Sequence, residues 1–248
     1  MKALDLTPNL DHPNPTVKAF TRIFIPQDNP SDTSKYYNAL QKIGNMLRSN
    51  NYYKCIWIIV GEGDEGKSIF ISMLMNIFQK FIKTATPAQF DKDSRFSIVE
   101  FDGKNLVVSE TGKKNFAAID ALKRMSGNDS LSGEIKGVQG LFECQPPALI
   151  IIATNHIPDF DTDEVALMNR LDITKLKNQW KKPGDFNKNL NHYPVQTVEE
   201  QNHILTDPEG LTLLLNMGIQ AAQQMGQNNI RIYFPIFKNN LLKININS

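Results

Sequence analysis

The stretch Cys55-Ile-Trp-Ile-Ile-Val-Gly-Glu-Gly-Asp-Glu-Gly-Lys-Ser68 decides the fold. Its first six residues form an unbroken apolar run that stops at Gly61, a pattern typical of a strand buried on both faces within a parallel sheet. From Ser68 to Ile82, apolar residues recur at helical spacing. Because a buried strand, a glycine-rich turn and a helix follow one another, this part of the sequence predicts an α/β protein.

The turn in this stretch matches the phosphate-loop pattern G-x-x-x-x-G-K-S in full. Glycines let successive backbone N–H groups point inward around an anion, and the helix that begins near Lys67 adds its positive end. Lys67 is expected to contact the β- and γ-phosphates of ATP, and the Ser68 hydroxyl is expected to bind Mg²⁺. We expect the three acidic side chains of the loop to point to solvent, although their charge weakens binding of a triphosphate. The predicted ATP-binding residues are Gly61, Glu62, Gly63, Asp64, Glu65, Gly66, Lys67, Ser68 and Ile69.

Two further apolar runs end in polar residues. Residues 106–108 lead to Ser109 and Glu110, and residues 148–153 lead to Thr154 and Asn155. Since the carboxyl ends of parallel strands meet at one edge of a sheet, Glu110 is predicted to activate the attacking water and to help Ser68 hold Mg²⁺. Asn155 is predicted to sense the γ-phosphate. The alternatives are a solvated loop glutamate and an ordinary turn asparagine.

Arg170 follows an acidic loop over residues 159–164. An exposed arginine at this place is predicted to reach the γ-phosphate held by a neighbouring subunit and to stabilise charge in the transition state. The alternative is an ordinary salt-bridge partner. Lys67, Glu110, Asn155 and Arg170 are therefore the predicted catalytic residues.

The remaining patterns predict supporting elements. Tyr36, Leu40, Ile43 and Leu47 share one face of a helix, and residues 115–126 form another helix. Alternating residues around a glycine-flanked tip at 136–140 predict a β-hairpin. Asp207 and Pro208 are typical of the start of a helix that runs to about residue 225.

Composition limits the classes of function. The chain has 248 residues, 41% of them hydrophobic, with a net charge of +1, so any contact with nucleic acid is expected to be local. The two cysteines, Cys55 and Cys144, lie in apolar stretches and are expected to be buried. No apolar run approaches the length of about 18 residues that a membrane span needs. A cytoplasmic, intracellular protein with no membrane partner is the expectation.

These elements, in this order, resemble the superfamily 3 helicases, and in particular the helicase modules of phage and plasmid primases and of poxvirus-type primase-helicases. The likeness extends over about residues 34–225. It includes the phosphate loop, the strand ends at Glu110 and Asn155, the block from Leu122 to Asp129, and the pair Arg170-Leu171.

The resemblance implies a P-loop NTPase fold of the AAA+ type: a three-layer α/β sandwich with a central, mostly parallel sheet, a β-hairpin insertion and a small helical N-terminal segment. It implies a homo-hexamer that binds ATP at subunit interfaces and acts on single-stranded or forked DNA. Lys136 on the hairpin tip is implied to grip the DNA backbone, and Lys123 matches a lysine of an intermediate motif that ends at Asp129. The expected organisation is an irregular arm over 1–30, a helical segment over 31–54, the ATPase domain over 55–226 and a tail over 227–248.

The chain departs from the family pattern at two positions. Glu65 stands where asparagine is usual, and Asn128 replaces the second glycine of a pair. No primase-like constellation precedes the loop, so we expect a truncated relative or a partner of a separate primase or replication-initiator protein. Three functions stay open: a DNA helicase that serves replication of a virus, phage, plasmid or other mobile element, an assembly, packaging or RNA-acting ATPase, and a degenerate ATP-binding structural subunit.

Overall fold

The chain forms a mixed α/β structure, seen in a computed structural model that describes residues 3–48, 53–86, 99–110, 119–129, 131–134, 137–144, 147, 149–157, 165–187 and 190–224. The helices are α1 Pro15–Phe24, α2 Ser34–Asn45, α3 Lys67–Phe78, α4 Ile119–Gly127, α5 Val165–Met168, α6 Val198–Thr206 and α7 Pro208–Gln224, with a 3-10 turn at Gln79–Phe81. The strands are β1 Ile56–Val60, β2 Ile82–Ala85, β3 Asn105–Glu110, β4 Leu131–Glu134, β5 Leu141–Cys144, β6 Ile150–Thr154, β7 Leu171–Lys175, β8 Gln179–Lys181 and β9 His192–Pro194.

Two compact units make up the chain, and each draws on stretches that are distant in sequence. The helical unit comprises Met1–Leu47, Gly63–Ile77 and Leu176–Ser248. The sheet unit comprises Arg48–Glu62 and Phe78–Lys175. The chain therefore crosses from one unit to the other inside the glycine-rich loop, after Glu62.

A five-stranded parallel sheet forms the centre of the sheet unit, in the order β2-β3-β6-β1-β7. The three strands that the apolar runs predict are β1, β3 and β6, and they lie side by side. Strands β2 and β7 were not predicted from the sequence. They are only partly buried and lie at the two edges of the sheet, where each pairs on one side only.

The core of the sheet unit explains why β1 is apolar throughout. Ile56, Ile58 and Val60 project to the face that also holds Leu122 and Met125 of α4. Trp57 and Ile59 alternate to the other face and are also buried. The polar atom of the Trp57 indole is satisfied, because its Nε1–H donates to Thr174 Oγ1 at 2.8 Å.

The helical unit is built around two crossings. Helices α2 and α7 pack together most extensively, with Gly44 of α2 against Gly218 of α7. Helix α1 carries Phe20 and Phe24 into an aromatic cluster with Phe70 of α3, with ring centroids 6.0 and 4.9 Å apart. The predicted inward face of α2 is confirmed at Tyr36, Leu40 and Ile43, which are fully buried. Leu47, predicted on the same face, lies beyond the end of α2 and is half-buried.

The expectation of an irregular arm over residues 1–30 is wrong for its second half. Asn14 caps α1 by accepting bonds from the N–H groups of Thr16 and Val17, and Pro15 occupies the first helical position. Proline resists the interior of a helix but favours its first turn, where no N–H partner is needed. The number of prolines alone therefore gave a wrong prediction, whereas Pro15 directly after Asn14 is typical of a helix start.

The predicted hairpin and C-terminal helix are confirmed. Strands β4 and β5 pair antiparallel, with Leu131 opposite Cys144. Asp207 caps α7, since its carboxylate accepts bonds from the N–H groups of Glu209 and Gly210 at 3.1 and 3.0 Å. Residues 115–118 of the predicted internal helix, residues 135–136 of the predicted hairpin and the predicted tail at 227–248 lie outside the described residues.

Within the described ranges, the helices are too short or too polar for any of them to cross a membrane. Both cysteines are buried, as predicted, and neither forms a disulfide bond. Burial raises the pKa of the Cys144 thiol.

Candidate functional site

The backbone of the glycine-rich loop supports its interpretation as an anion-binding turn. Asp64 and Gly66 lie in the left-handed region, with φ of 64° and 82°, and Gly63 has a φ of 145°. Alternation of left-handed residues with ordinary ones turns backbone N–H groups toward a common centre. Two features favour glycine at position 66. One is its left-handed φ, and the other is space, since a Cβ atom there would lie 2.9 Å from Ile23 Cγ1 and 3.1 Å from Trp180 Cζ3.

The side chain of Glu65 lies against this turn, and the expectation that it points to solvent is wrong. It is 3% exposed, and its Oε1 and Oε2 atoms accept bonds from the Gly63 N–H at 2.8 and 2.9 Å. The same carboxylate pairs with Lys67, with Oε2 and Nζ 3.0 Å apart. A backbone amide and a loop lysine are also the donors that hold phosphate in phosphate-binding loops.

The other two acidic residues of the loop point outward as expected. The Glu62 side chain is 72% exposed, and its carboxylate lies 4.0 Å from Lys175 Nζ within the sheet unit. The Asp64 side chain is 62% exposed and pairs with Lys181 at 3.1 Å within the helical unit. Glu65 therefore differs from its acidic neighbours in both burial and partner.

Helix α3 begins directly after the loop. Lys67 is its first residue, the Ser68 side chain in its first turn is exposed, and Ile69 is half-buried. Phe70 N–H donates to Gly66 O at 2.9 Å, which continues the helical bonding back into the loop. The unpaired N–H groups of a first turn and the helix dipole favour an anion at this end.

The carboxyl edge of the sheet collects the other predicted positions. In the register of the sheet, Val60 lies beside Thr154, and Thr154 lies beside Glu110. Gly61 N–H donates to Thr154 O at 3.2 Å, so the loop starts at this edge. Asn155 follows Thr154 directly and is half-buried. The backbone positions of Glu110 and Asn155 thus lie at the edge where β1 passes into the loop, and the Glu110 side chain is outside the described part of the chain.

Arg170 lies immediately before β7 and contacts its own sheet unit. Its Nη1 atom donates to the main-chain oxygen of Lys123 and lies 3.4 Å from Ser126 Oγ. The side chain is half-buried instead of fully exposed. A guanidinium beside the last carbonyl groups of α4 complements the negative end of that helix. The role of Arg170 across a subunit interface stays a prediction.

The end of α4 accounts for Asn128. This residue has a φ of 63°, and its N–H donates to Met125 O at 3.4 Å. The N–H of Asp129 donates to Arg124 O at 3.1 Å, which completes a Schellman ending. Asparagine is the residue after glycine that tolerates this left-handed position best, so the departure from a glycine pair keeps the same turn.

Sequence reasoning missed one segment that touches the loop. Trp180 N–H donates to Asp64 O at 2.8 Å, and the Trp180 ring lies beside Gly66 and 5.6 Å from the Tyr193 ring. These residues come from the parallel pair β8–β9, which lies in a polar, proline-broken stretch. Pairing between strands separated by ten or more residues leaves no local pattern, and the single available signal was a tryptophan among polar residues.

Of the two predicted nucleic-acid contacts, Lys136 and Lys123, the structure describes Lys123. Lys136 lies outside the described residues. Lys123 is half-buried on α4, with its carbonyl bound to Arg170.

In the described part of the chain, His, Cys, Asp and Glu form no group of three or more that is able to hold a metal ion. This result leaves the predicted pair of Mg²⁺ ligands untested, since Ser68 is not of those types and the Glu110 side chain is not described.

These features place the chain among mixed α/β proteins with a parallel sheet, and comparisons with known proteins add to this. The model of a family of unknown function, DUF5906, matches residues 59–170. None of the curated proteins matches the chain.

Solved structures of the NrS-1 C-terminal region are similar in fold. The A form of its apo structure has a TM-score of 0.60 at 18% identity, with 90% of this chain and 49% of that chain covered. A second apo structure has a TM-score of 0.57 at 16% identity, with the same coverage of 90% and 49%. The chain thus spans about half the length of the solved chains that it matches.

Proposed function

We propose that this chain is an ATP-dependent DNA translocase or helicase motor that serves replication of a virus, phage, plasmid or other mobile element. The observation that carries the proposal is the turn between β1 and α3, where an amide and the Lys67 ammonium hold a carboxylate. A loop that binds an internal anion in this way has the donors that a phosphate group needs.

The sheet supports the same proposal. A parallel sheet that carries Glu110 and Asn155 at the edge where the loop begins is the arrangement expected of a P-loop NTPase of the AAA+ type. The likeness in fold to the NrS-1 C-terminal region supports the architecture on which this proposal rests. The superfamily 3 resemblance extends the proposal to a homo-hexamer on single-stranded or forked DNA, with Lys136 and Lys123 as DNA contacts.

In the proposed reaction the predicted residues bind ATP, activate water and stabilise the developing charge. The loop amides and Lys67 bind and orient the phosphates of ATP. Glu110 accepts a proton from the attacking water, Asn155 positions that water or a γ-phosphate oxygen, and Arg170 stabilises the charge that develops on the transferred group. Ser68 and Glu110 would hold Mg²⁺, which would neutralise charge on the phosphates.

The test starts with binding. The purified protein is expected to bind a fluorescent ATP analogue in the presence of Mg²⁺, and Lys67→Ala is expected to lose this binding and the DNA-stimulated ATPase activity. Lys182→Ala is the matched control, because it removes an exposed lysine from a turn in the helical unit. Failure of the wild-type protein and of every loop variant to bind the analogue would exclude the motor.

One observation favours a second candidate, a degenerate ATP-binding subunit with a structural role. The same carboxylate that reveals the loop's donors also occupies them. The two candidates differ in turnover: a motor hydrolyses ATP faster when DNA is present, whereas the degenerate subunit binds ATP without measurable hydrolysis.

A further inference from the structure

We infer that Glu65 is a built-in competitor of the nucleotide: its carboxylate holds the phosphate-binding donors of the loop until a triphosphate displaces it. The inference rests on the proposed function and adds a regulatory residue to the same site. The ligand is a nucleoside triphosphate, and Glu65 is the residue that weakens the binding of this ligand.

The contacts of Glu65 are those of a ligand. Both carboxylate oxygens face the Gly63 N–H, at 2.8 and 2.9 Å, and one of them pairs with Lys67 at 3.0 Å. Bonds between an ionised acceptor and an N–H donor are stronger than neutral ones, and burial strengthens them further. A phosphate oxygen cannot accept from the Gly63 N–H while the carboxylate stays in place, and the carboxylate competes with phosphate for the Lys67 ammonium.

Displacement of Glu65 is feasible because the residue belongs to a surface loop. Its neighbours on both sides, Asp64 and Gly66, are at least partly exposed, and rotation about the side-chain bonds is enough to move the carboxylate to solvent. A triphosphate offers several anionic oxygens in exchange for two, and it gains the first turn of α3 as well. The exchange therefore favours ATP at sufficient concentration, but it costs the nucleotide part of its affinity.

The size of this cost follows from the population of the open loop. When a binding-competent state is only partly populated, the apparent Kd increases by the inverse of that fraction. A carboxylate that occupies the loop nine-tenths of the time weakens binding about tenfold. Glu62 and Asp64 do not impose this cost, since their carboxylates lie against Lys175 and Lys181 instead of the loop donors.

The experiment compares nucleotide affinity across matched loop variants of the full chain. The Kd of a fluorescent ATP analogue is measured with Mg²⁺ for the wild type, Glu65→Ala, Glu65→Gln and Asp64→Asn. Asp64→Asn removes the same charge from the same loop, and asparagine accepts the left-handed backbone of that position. Glu65→Gln keeps the shape of the side chain, so it remains informative if Glu65→Ala fails to fold.

We expect Glu65→Ala to tighten binding about tenfold, Glu65→Gln to tighten it less, and Asp64→Asn to change it by about twofold at most through screened charge alone. Hydrogen exchange of the Gly63 amide without nucleotide is expected to accelerate in Glu65→Ala. Equal tightening in Asp64→Asn and Glu65→Ala would overturn the inference in favour of general electrostatics. Equal affinity of the wild type and both Glu65 variants would also overturn it and would leave the proposed function intact. Loss of binding in every variant would remove the proposed function itself.

Discussion

Single residues decide how the loop and its surroundings depart from the pattern suggested by the sequence. Glu65 and Asn128 both replace residues that the superfamily 3 resemblance leads one to expect, yet their consequences differ. Asn128 preserves the backbone turn at the end of α4, because it occupies the left-handed position with a φ of 63°. Glu65 adds a buried carboxylate where an uncharged amide is usual, so it changes the electrostatics of the loop directly.

A prediction at the residue scale concerns Glu110. Glu110→Gln removes the proton acceptor but keeps the size of the side chain at the end of β3. We expect ATP hydrolysis to fall about 100-fold or more, since general base catalysis contributes on that scale. The Kd of the ATP analogue is expected to change little, because the glutamine side chain keeps an oxygen that is able to bind Mg²⁺.

The measurement is steady-state ATPase activity beside analogue binding, with Glu100→Gln as a control at an exposed carboxylate in the same unit. Hydrolysis at the wild-type rate in Glu110→Gln would show that another group activates the water. Absence of hydrolysis in the wild type would favour the degenerate subunit.

At the scale of secondary-structure elements, the crossing of α2 and α7 depends on two small residues. A Cβ atom at Gly44 would overlap the main-chain oxygen of Gly218 and lie 2.8 Å from the Ala222 Cβ atom. The obstacle is helix backbone, which cannot rotate away as a flexible side chain does. The glycine pair therefore sets how closely the two helices approach.

We predict that Gly44→Ala destabilises the protein by about 2 kcal/mol or more, because overpacking a helix contact forces the backbones apart. This loss outweighs the gain of up to about 1 kcal/mol that alanine normally brings to the interior of a helix. The free energy of urea-induced unfolding measures the effect.

Gly184→Ala is the matched control for this helix crossing. A Cβ atom at Gly184 meets nothing within 4 Å, so we expect almost no change in the free energy of unfolding. If Gly44→Ala unfolds at the same urea concentration as the wild type, the close approach of α2 and α7 is not required for stability.

At the scale of the whole molecule, the superfamily 3 resemblance predicts that several copies form a ring. The net charge of +1 argues against broad attraction to DNA, so a few lysines around a channel would have to supply the contact. Arg170 is the residue through which such an assembly can be tested. It binds the end of α4 in its own sheet unit and is proposed to act on the nucleotide of a neighbouring subunit.

We predict that Arg170→Ala abolishes ATP hydrolysis and spares binding of the analogue, and that mixing it with Lys67→Ala restores part of the activity at mixed interfaces. Loss of the bond to the end of α4 is also expected to lower the free energy of unfolding by about 1–2 kcal/mol. Activity of the mixture and urea unfolding of the single variant measure the two effects separately.

Arg170→Lys serves as the comparison, because lysine keeps the charge but not the planar guanidinium. If Arg170→Ala lowers the free energy of unfolding but hydrolyses ATP at the wild-type rate, Arg170 has a structural role alone. Sizing the protein with ATP and single-stranded DNA completes the test, and a species that stays monomeric under both conditions would contradict the ring.

The sequence by itself determined the elements whose signals are local. Unbroken apolar runs predicted β1, β3 and β6, the glycine pattern predicted the loop, and Asp207 with Pro208 predicted the start of α7, since each depends on neighbouring residues. Only the tertiary structure decided the sheet order, the contact of Trp180 with the loop and the position of the Glu65 carboxylate. These depend on groups brought together by folding and on which of several rotamers finds a partner, and neither leaves a periodic mark in the sequence.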